Sequence, residues 1–167
     1  MKLILIRGVP GTGKTKVANI LGQILQNSQV IHVDNFKVKA MKKGKTFKEA
    51  QEIAYDDVLD KLGLFQDKKH IILEEIVCDK TFWNRINRFY HESKADFYGF
   101  RLLRKIDELL EVESQRKRKV KNTKEDFSKL KQDIESLKVP REHLIKNDNL
   151  TLTIKKILDV LLKNINH

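Results

Sequence analysis

Short unbroken apolar runs alternate along the chain with stretches in which apolar residues recur every three or four positions. Leu3 to Ile6 is a continuous apolar run, as expected of a strand covered on both faces, and the stretch after it carries a helical stripe at Val17, Ile20, Leu21 and Ile24. Val30 to Val33 reads as a second strand. Thr46 and Glu49 form a capping box that opens a helix with Ala50, Ile53, Ala54 and Val58 turned inward. Ile71 to Leu73 is a third run, ended by Glu74 and Glu75, and Lys80 to Glu92 reads as a helix carrying Phe82, Trp83, Ile86 and Phe89. Phe97 to Leu103 is the fourth strand. A charged helix runs from about Lys105 into the basic cluster Arg116-Lys117-Arg118-Lys119, and Thr123 caps another with Phe127, Leu130, Ile134 and Leu137 at helical spacing. Pro140 stops that helix, Glu142 to Ile145 is a weak fifth strand, and the last helix shows Ile154, Ile157, Leu158, Leu161 and Ile165. Strands alternating with helices imply an α/β chain with a parallel sheet covered on both faces. Five strands and their crossovers fit one domain over residues 1–167.

Composition narrows this picture. No apolar run approaches the roughly 20 residues of a membrane-spanning helix, and the N-terminal run is too short for a signal peptide, so a soluble cytoplasmic protein with no membrane partner is expected. Cys78 is the single cysteine and reads as a small buried hydrophobe. The five histidines show no metal-ligand spacing, and no zinc site is expected. The net charge of +11 comes from 34 basic against 23 acidic residues. Such an excess attracts anions such as nucleotides or nucleic acid, but with only eight arginines among the basic residues a solvated lysine surface explains it as well. No feature speaks to oligomeric state.

The chemistry begins directly after the first strand. Gly8-Val9-Pro10-Gly11-Thr12-Gly13-Lys14-Thr15 matches the phosphate-binding P-loop at each defined position and lies between an expected strand and an expected helix. Glycines let the backbone turn tightly and aim successive N–H groups, with the helix N-terminus behind them, at phosphate oxygens. Lys14 reaches the β and γ phosphates of ATP or GTP, and the Thr15 hydroxyl is offered to Mg²⁺. A dinucleotide fingerprint fits less well, because its G-x-G-x-x-G spacing is absent.

Asp34 ends the second strand, on the side of a parallel sheet where the P-loop also lies. Two readings stand: a carboxylate that accepts the proton of an acceptor hydroxyl or orients it, and a turn or helix-cap residue. Lys37, one helical turn later, either pairs with an anionic acceptor or stands solvated, the second being favoured by sequence alone. The segments Leu-Ile-Arg-Gly-Val-Pro-Gly-Thr-Gly-Lys-Thr and Val-Asp-Asn-Phe-Lys resemble the small P-loop kinases related to polynucleotide 5′-kinase and zeta toxins over residues 2–39. That resemblance implies a three-layer P-loop fold with strand order 2-3-1-4-5 and a helical lid at about residues 114–138. It implies Asp34 as general base and Lys37 as a substrate-binding residue. The polynucleotide kinases carry arginine where Lys37 stands and often a second aspartate where Asn35 stands.

Glu74, first after the third apolar run, resembles the carboxylate that holds Mg²⁺ through water in these kinases, and alternation along a strand lets only one of Glu74 and Glu75 face the site. Arg116 and Arg118 stand at the mouth of the expected lid, whose arginines close over the transferring phosphate; a solvated helix end is the competing reading. The Phe82 to Phe100 aromatics read as core. The Lys146-Asn147-Asp148 loop lies beside the adenine by the same resemblance. The expected function is an ATP-dependent kinase with Mg²⁺ as cofactor and a hydroxyl acceptor, anionic or a nucleic-acid 5′-hydroxyl among the candidates. A nucleotide switch without an acceptor and a nucleic-acid-binding module that keeps a P-loop are the rivals.

Overall fold

The computed structural model describes residues 1–117 and 120–163. Among them, five strands form one sheet: β1 (Lys2–Arg7), β2 (Ser28–His32), β3 (His70–Glu74), β4 (Asp96–Leu103) and β5 (Glu142–Lys146). Every pairing is parallel and the spatial order is β2-β3-β1-β4-β5. The helices are α1 (Lys14–Ile24), α2 (Val33–Lys42), α3 (Phe47–Leu64), α4 (Lys80–Glu92), α5 (Ile106–Ser114), α6 (Lys124–Ser136) and α7 (Leu150–Lys163).

Side chains alternate across the pleat of β1, and this splits the core in two. Leu3 and Leu5 join Ile71 and Leu73 of β3 against α3 and α4, through Ala54, Val58, Leu62, Phe82, Trp83 and Ile86. Ile4, Ile6 and Ile72 face the other way, onto Val17, Ala18 and Leu21 of α1 and Ile154, Ile157 and Leu161 of α7. A third cluster joins Val9, in the turn after β1, to Leu109, Phe127 and Ile134 of α5 and α6. The aromatics at 82–100 are core: Tyr55 stacks on Phe82 at 3.9 Å, and Trp83 meets Phe97 edge-on at 5.5 Å. Among the described residues no helix is long and apolar enough to cross a membrane.

The capping box of Thr46 with Glu49 opens α3 and the Thr123 cap opens α6, where the structure adds Asp126 as the reciprocal partner. Several expectations need correcting. β2 stops at His32, so Val33 begins α2, a helix the apolar pattern left unmarked because its face combines Ala40 with the charged Lys37. Ile24 and Ile53 are exposed, their places in the stripes taken by Ala18 and Tyr55, since the sheet covers only part of each helix. Cys78 is exposed, in the loop between β3 and α4. The charged helix after β4 ends at Ser114, short of the basic cluster. Ile165 of the last apolar stripe lies outside the described residues.

Arg7 closes β1 as a fully buried charge. Its guanidinium pairs with the Glu142 carboxylate on β5 and donates to the carbonyls of Val77 (3.0 Å) and Leu137 (2.9 Å), so the loop after β3, the end of α6 and β5 meet on one side chain. Removing one partner of a buried ion pair strands the other. Arg7→Met should therefore destabilise the fold by about 3–5 kcal/mol in urea unfolding, and Arg7→Met/Glu142→Leu should recover only part of the loss, because Glu142 also pairs with Arg101 at 3.5 Å.

Candidate active site

Because all five strands run the same way, their C-terminal ends share one edge, and the loops that leave them surround a cavity of about 670 Å³. The P-loop supplies its floor. After β1 the chain turns through Gly8, Gly11 and Gly13 into α1, whose N-cap, Gly13, has φ 86°. A Cβ at Gly13 would sit 2.6 Å from Asn147 Nδ2, and one at Gly8 would sit 2.7 Å from the Leu102 carbonyl oxygen, so both backbone shape and space require glycine there. The Val9 carbonyl accepts from the Thr12 hydroxyl (2.9 Å) and backbone N–H (3.3 Å), which folds the turn on itself. α1 has no side-chain cap and no acidic residue in its first turn. Its leading N–H groups and dipole are thus left for an anion.

Lys14 is buried, its Nζ 3.4 Å from the Val9 carbonyl and 3.8 Å from Glu74 Oε1. Burial pulls its ammonium below the ordinary lysine value, against the raising pull of Glu74, Glu75 and Asp34. Glu74 lies opposite Ile6 in the β1–β3 register and opposite His32 in the β2–β3 register, so it faces the α1 side and the cavity. Burial works against its charge. The His32 Nδ1 donor (2.9 Å), the Lys14 charge and a hydrogen bond from Thr15 outweigh that and hold the carboxyl below the usual glutamate range. The other ring nitrogen of His32 meets the Asn19 side chain at 2.9 Å.

Glu75 takes the other face. Its Oε2 accepts from Lys37 Nζ at 2.9 Å and its Oε1 from the Ile76 N–H at 2.8 Å. Lys37 is therefore buried and ion-paired rather than solvated, and the same Nζ lies 3.4 Å from Asp34 Oδ1. Two carboxylates share one ammonium. Burial raises Glu75 above the usual glutamate range with Lys37 offsetting only part of the shift, and Lys37 rises despite burial because Glu75 and Asp34 hold its proton. Asp34, in the first turn of α2, is exposed and lines the cavity with Lys14, Thr15 and Glu74.

Arg116 reaches the same cavity from the end of α5, its Nη1 3.4 Å from the Glu113 carboxylate, whose other oxygen accepts from the Asn122 N–H. Arg118 lies outside the described residues.

Two cavity residues carry no motif in the sequence. Arg104, just past β4, donates to the carbonyls of Gly11 (3.0 Å) and Asn147 (3.3 Å). Asn147, just past β5, donates to the Thr12 carbonyl (2.6 Å) and accepts from the Thr153 hydroxyl (2.8 Å). Together they clamp the P-loop from the β4 and β5 side.

The sequence matches no protein-family model and no curated protein. Similarity appears in solved structures. A tunicamycin resistance protein from Deinococcus radiodurans superposes with a TM-score of 0.70 at 16% identity, over 96% of this chain and 95% of that one. A gluconokinase from Sinorhizobium meliloti 1021 gives 0.66 at 14% identity, over 99% and 98%. A thymidylate kinase from Candida albicans gives 0.65 at 18% identity, over 99% and 93%. This is the P-loop kinase fold.

In that fold the donors that suit Mg²⁺ are hard oxygens. The Thr15 hydroxyl and the Glu74 carboxylate adjoin each other here, and among the described residues no group of three or more His, Cys, Asp or Glu side chains could hold a metal by itself. Two adjoining hard oxygens fit an ion whose remaining ligands would be water and phosphate. Asn147→Ala should leave the Thr12 carbonyl and Thr153 hydroxyl short of a partner, lowering stability by about 1–3 kcal/mol and weakening binding of a fluorescent ATP analogue in titration.

Proposed function

We propose that this chain is an ATP-dependent kinase that transfers the γ-phosphate to a hydroxyl acceptor. The observation that carries this reading is the convergence at one cavity of an uncapped α1 N-terminus, a buried Lys14, the Thr15–Glu74 oxygen pair and an exposed carboxylate at Asp34. A bare phosphate-binding turn would need neither Glu74 nor Asp34.

Residues Gly8 to Thr15 hold the triphosphate, with backbone N–H groups on the phosphate oxygens and Lys14 between the β and γ groups. Thr15 and Glu74 would hold Mg²⁺, which supplies charge neutralisation across those phosphates. Asp34 takes the proton of the acceptor hydroxyl as its oxygen bonds to the γ-phosphorus and the bond to the β-phosphate oxygen breaks, releasing ADP. Arg116, and by resemblance Arg118, stabilise charge on the transferring group. The segment at about 114–138 acts as a lid that keeps water out. Val9 shares a core cluster with α5 and α6, which couples that segment to the P-loop. The whole of 1–167 works as a single kinase domain.

ADP release from Mg-ATP over a panel of gluconate, thymidylate, nucleosides and a 5′-hydroxyl oligonucleotide tests this. One acceptor should stimulate release, Lys14→Ala and EDTA should abolish it, and Asp34→Asn should slow transfer by about 10²- to 10⁴-fold with little change in ATP-analogue binding. ADP release that no acceptor stimulates, or full transfer by Asp34→Asn, would overturn the assignment.

A further inference from the structure

Lys37 occupies the position where an acceptor's negative charge would be expected to meet a cation, yet two carboxylates already flank it. The residue is 9% exposed, Glu75 Oε2 lies at 2.9 Å, Asp34 Oδ1 at 3.4 Å, and the Tyr55 ring sits 5.8 Å from the ammonium. Of the three donors of this ammonium one is bonded to Glu75 and a second faces Asp34, so a further anion would meet a cation already neutralised by two carboxylates. Glu75 is itself fixed, since the Ile76 N–H holds its other oxygen and its backbone N–H donates to Ile6 at the end of β1. The sequence Ile6, Glu75, Lys37, Asp34 is thus a continuous chain of contacts from the centre of the sheet to the first turn of α2.

We propose that Lys37 is a positioning residue rather than an acceptor-binding one: anchored by Glu75, it holds one oxygen of Asp34 and thereby turns the other toward the acceptor hydroxyl. Asp34 and Lys37 are three residues apart on α2 and so share a face. The Asp34 side chain is exposed, and a carboxylate that must meet a hydroxyl within hydrogen-bond reach gains from having its rotamer fixed. The Glu75–Lys37 pair supplies that constraint from the rigid end of β3. The inference rests on Asp34 being the base.

The test uses the full chain, Mg-ATP and the acceptor that gives the strongest ADP release, alongside hydrolysis with water alone. Because Lys37→Met strands the buried Glu75, Lys37→Met/Glu75→Gln is studied with it, and a thermal melt with ATP-analogue titration shows which variants fold. The expected result is a fall in kcat of about 10- to 100-fold with acceptor KM and ATP-analogue Kd within about threefold of wild type, and recovery of most of the rate in Lys37→Arg. Lys37→Met added to Asp34→Asn should cost nothing further, because the lysine acts through the carboxylate. A rise in acceptor KM with kcat intact would show an acceptor-binding lysine and overturn the proposal. So would an additive loss in the Asp34→Asn background. If the wild-type chain transfers to no acceptor, the kinase reading fails, and a crystal structure of Lys37→Met/Glu75→Gln decides the remaining question. Asp34 displaced by about 1 Å or more, or spread over rotamers, supports the positioning contact; Asp34 unmoved overturns it.

Discussion

Parallel pairing of β1 between β3 and β4 is the constraint on which the rest of the molecule depends. A parallel sheet sends every strand out at the same edge, so the turns after β1, β2, β3, β4 and β5 must meet there. Register then decides what meets. Ile6 is level with Glu74 and Phe100, so the P-loop begins where β3 delivers its first carboxylate. One step of slip in β3 would exchange the faces of Glu74 and Glu75, moving the oxygen beside Thr15 to the far side of the sheet. The His32–Glu74 contact on one face and the Lys37–Glu75 pair on the other oppose that slip, which would leave a buried carboxylate without its partner on each side.

The cavity edge concentrates charge that the interior would not otherwise accept. Lys14 and Lys37 face Asp34, Glu74 and Glu75, an arrangement with one more carboxylate than ammonium before Arg104 and Arg116 are added. Partial burial makes each contact matter more than on an open surface, and hydrogen bonds from His32, Thr15 and the Ile76 N–H fix the carboxylates. The two lysines are accordingly unlike. Lys14 is pulled down by burial and sits beside an uncapped helix end, an electropositive cradle, whereas Lys37 is held charged between two carboxylates. Their different surroundings set one ammonium beside the glycine-rich turn and the other between Glu75 and Asp34.

The same logic explains which residues could be read in advance. The P-loop was legible because its function demands residue types at fixed spacing within one turn, and local chemistry leaves its mark on local sequence. The strand runs, the Thr46–Glu49 capping box and the Thr123 cap were legible for the same reason. α2 was not, since its buried side includes a lysine whose partners come from β3 and from α2 itself, and hydrophobic periodicity cannot register a buried ion pair. Arg104 and Asn147 carry no local signal either. Their partners, Gly11 and Thr12, are far away in sequence, and only the return of β4 and β5 to the same edge brings them together.

The sequence by itself determined that β1 runs into a glycine-rich turn of P-loop pattern, that five strands alternate with helices, and that a carboxylate follows β2, because each depends on neighbours within a few residues. Tertiary structure alone decided that Glu74 rather than Glu75 lies beside Thr15, that Lys37 is spent on Glu75 and Asp34, and that Arg7 is buried between β5, the α4-side loop and the end of α6. Those outcomes turn on register and on which distant groups share a small desolvated space, and neither quantity is written in any short stretch of the chain.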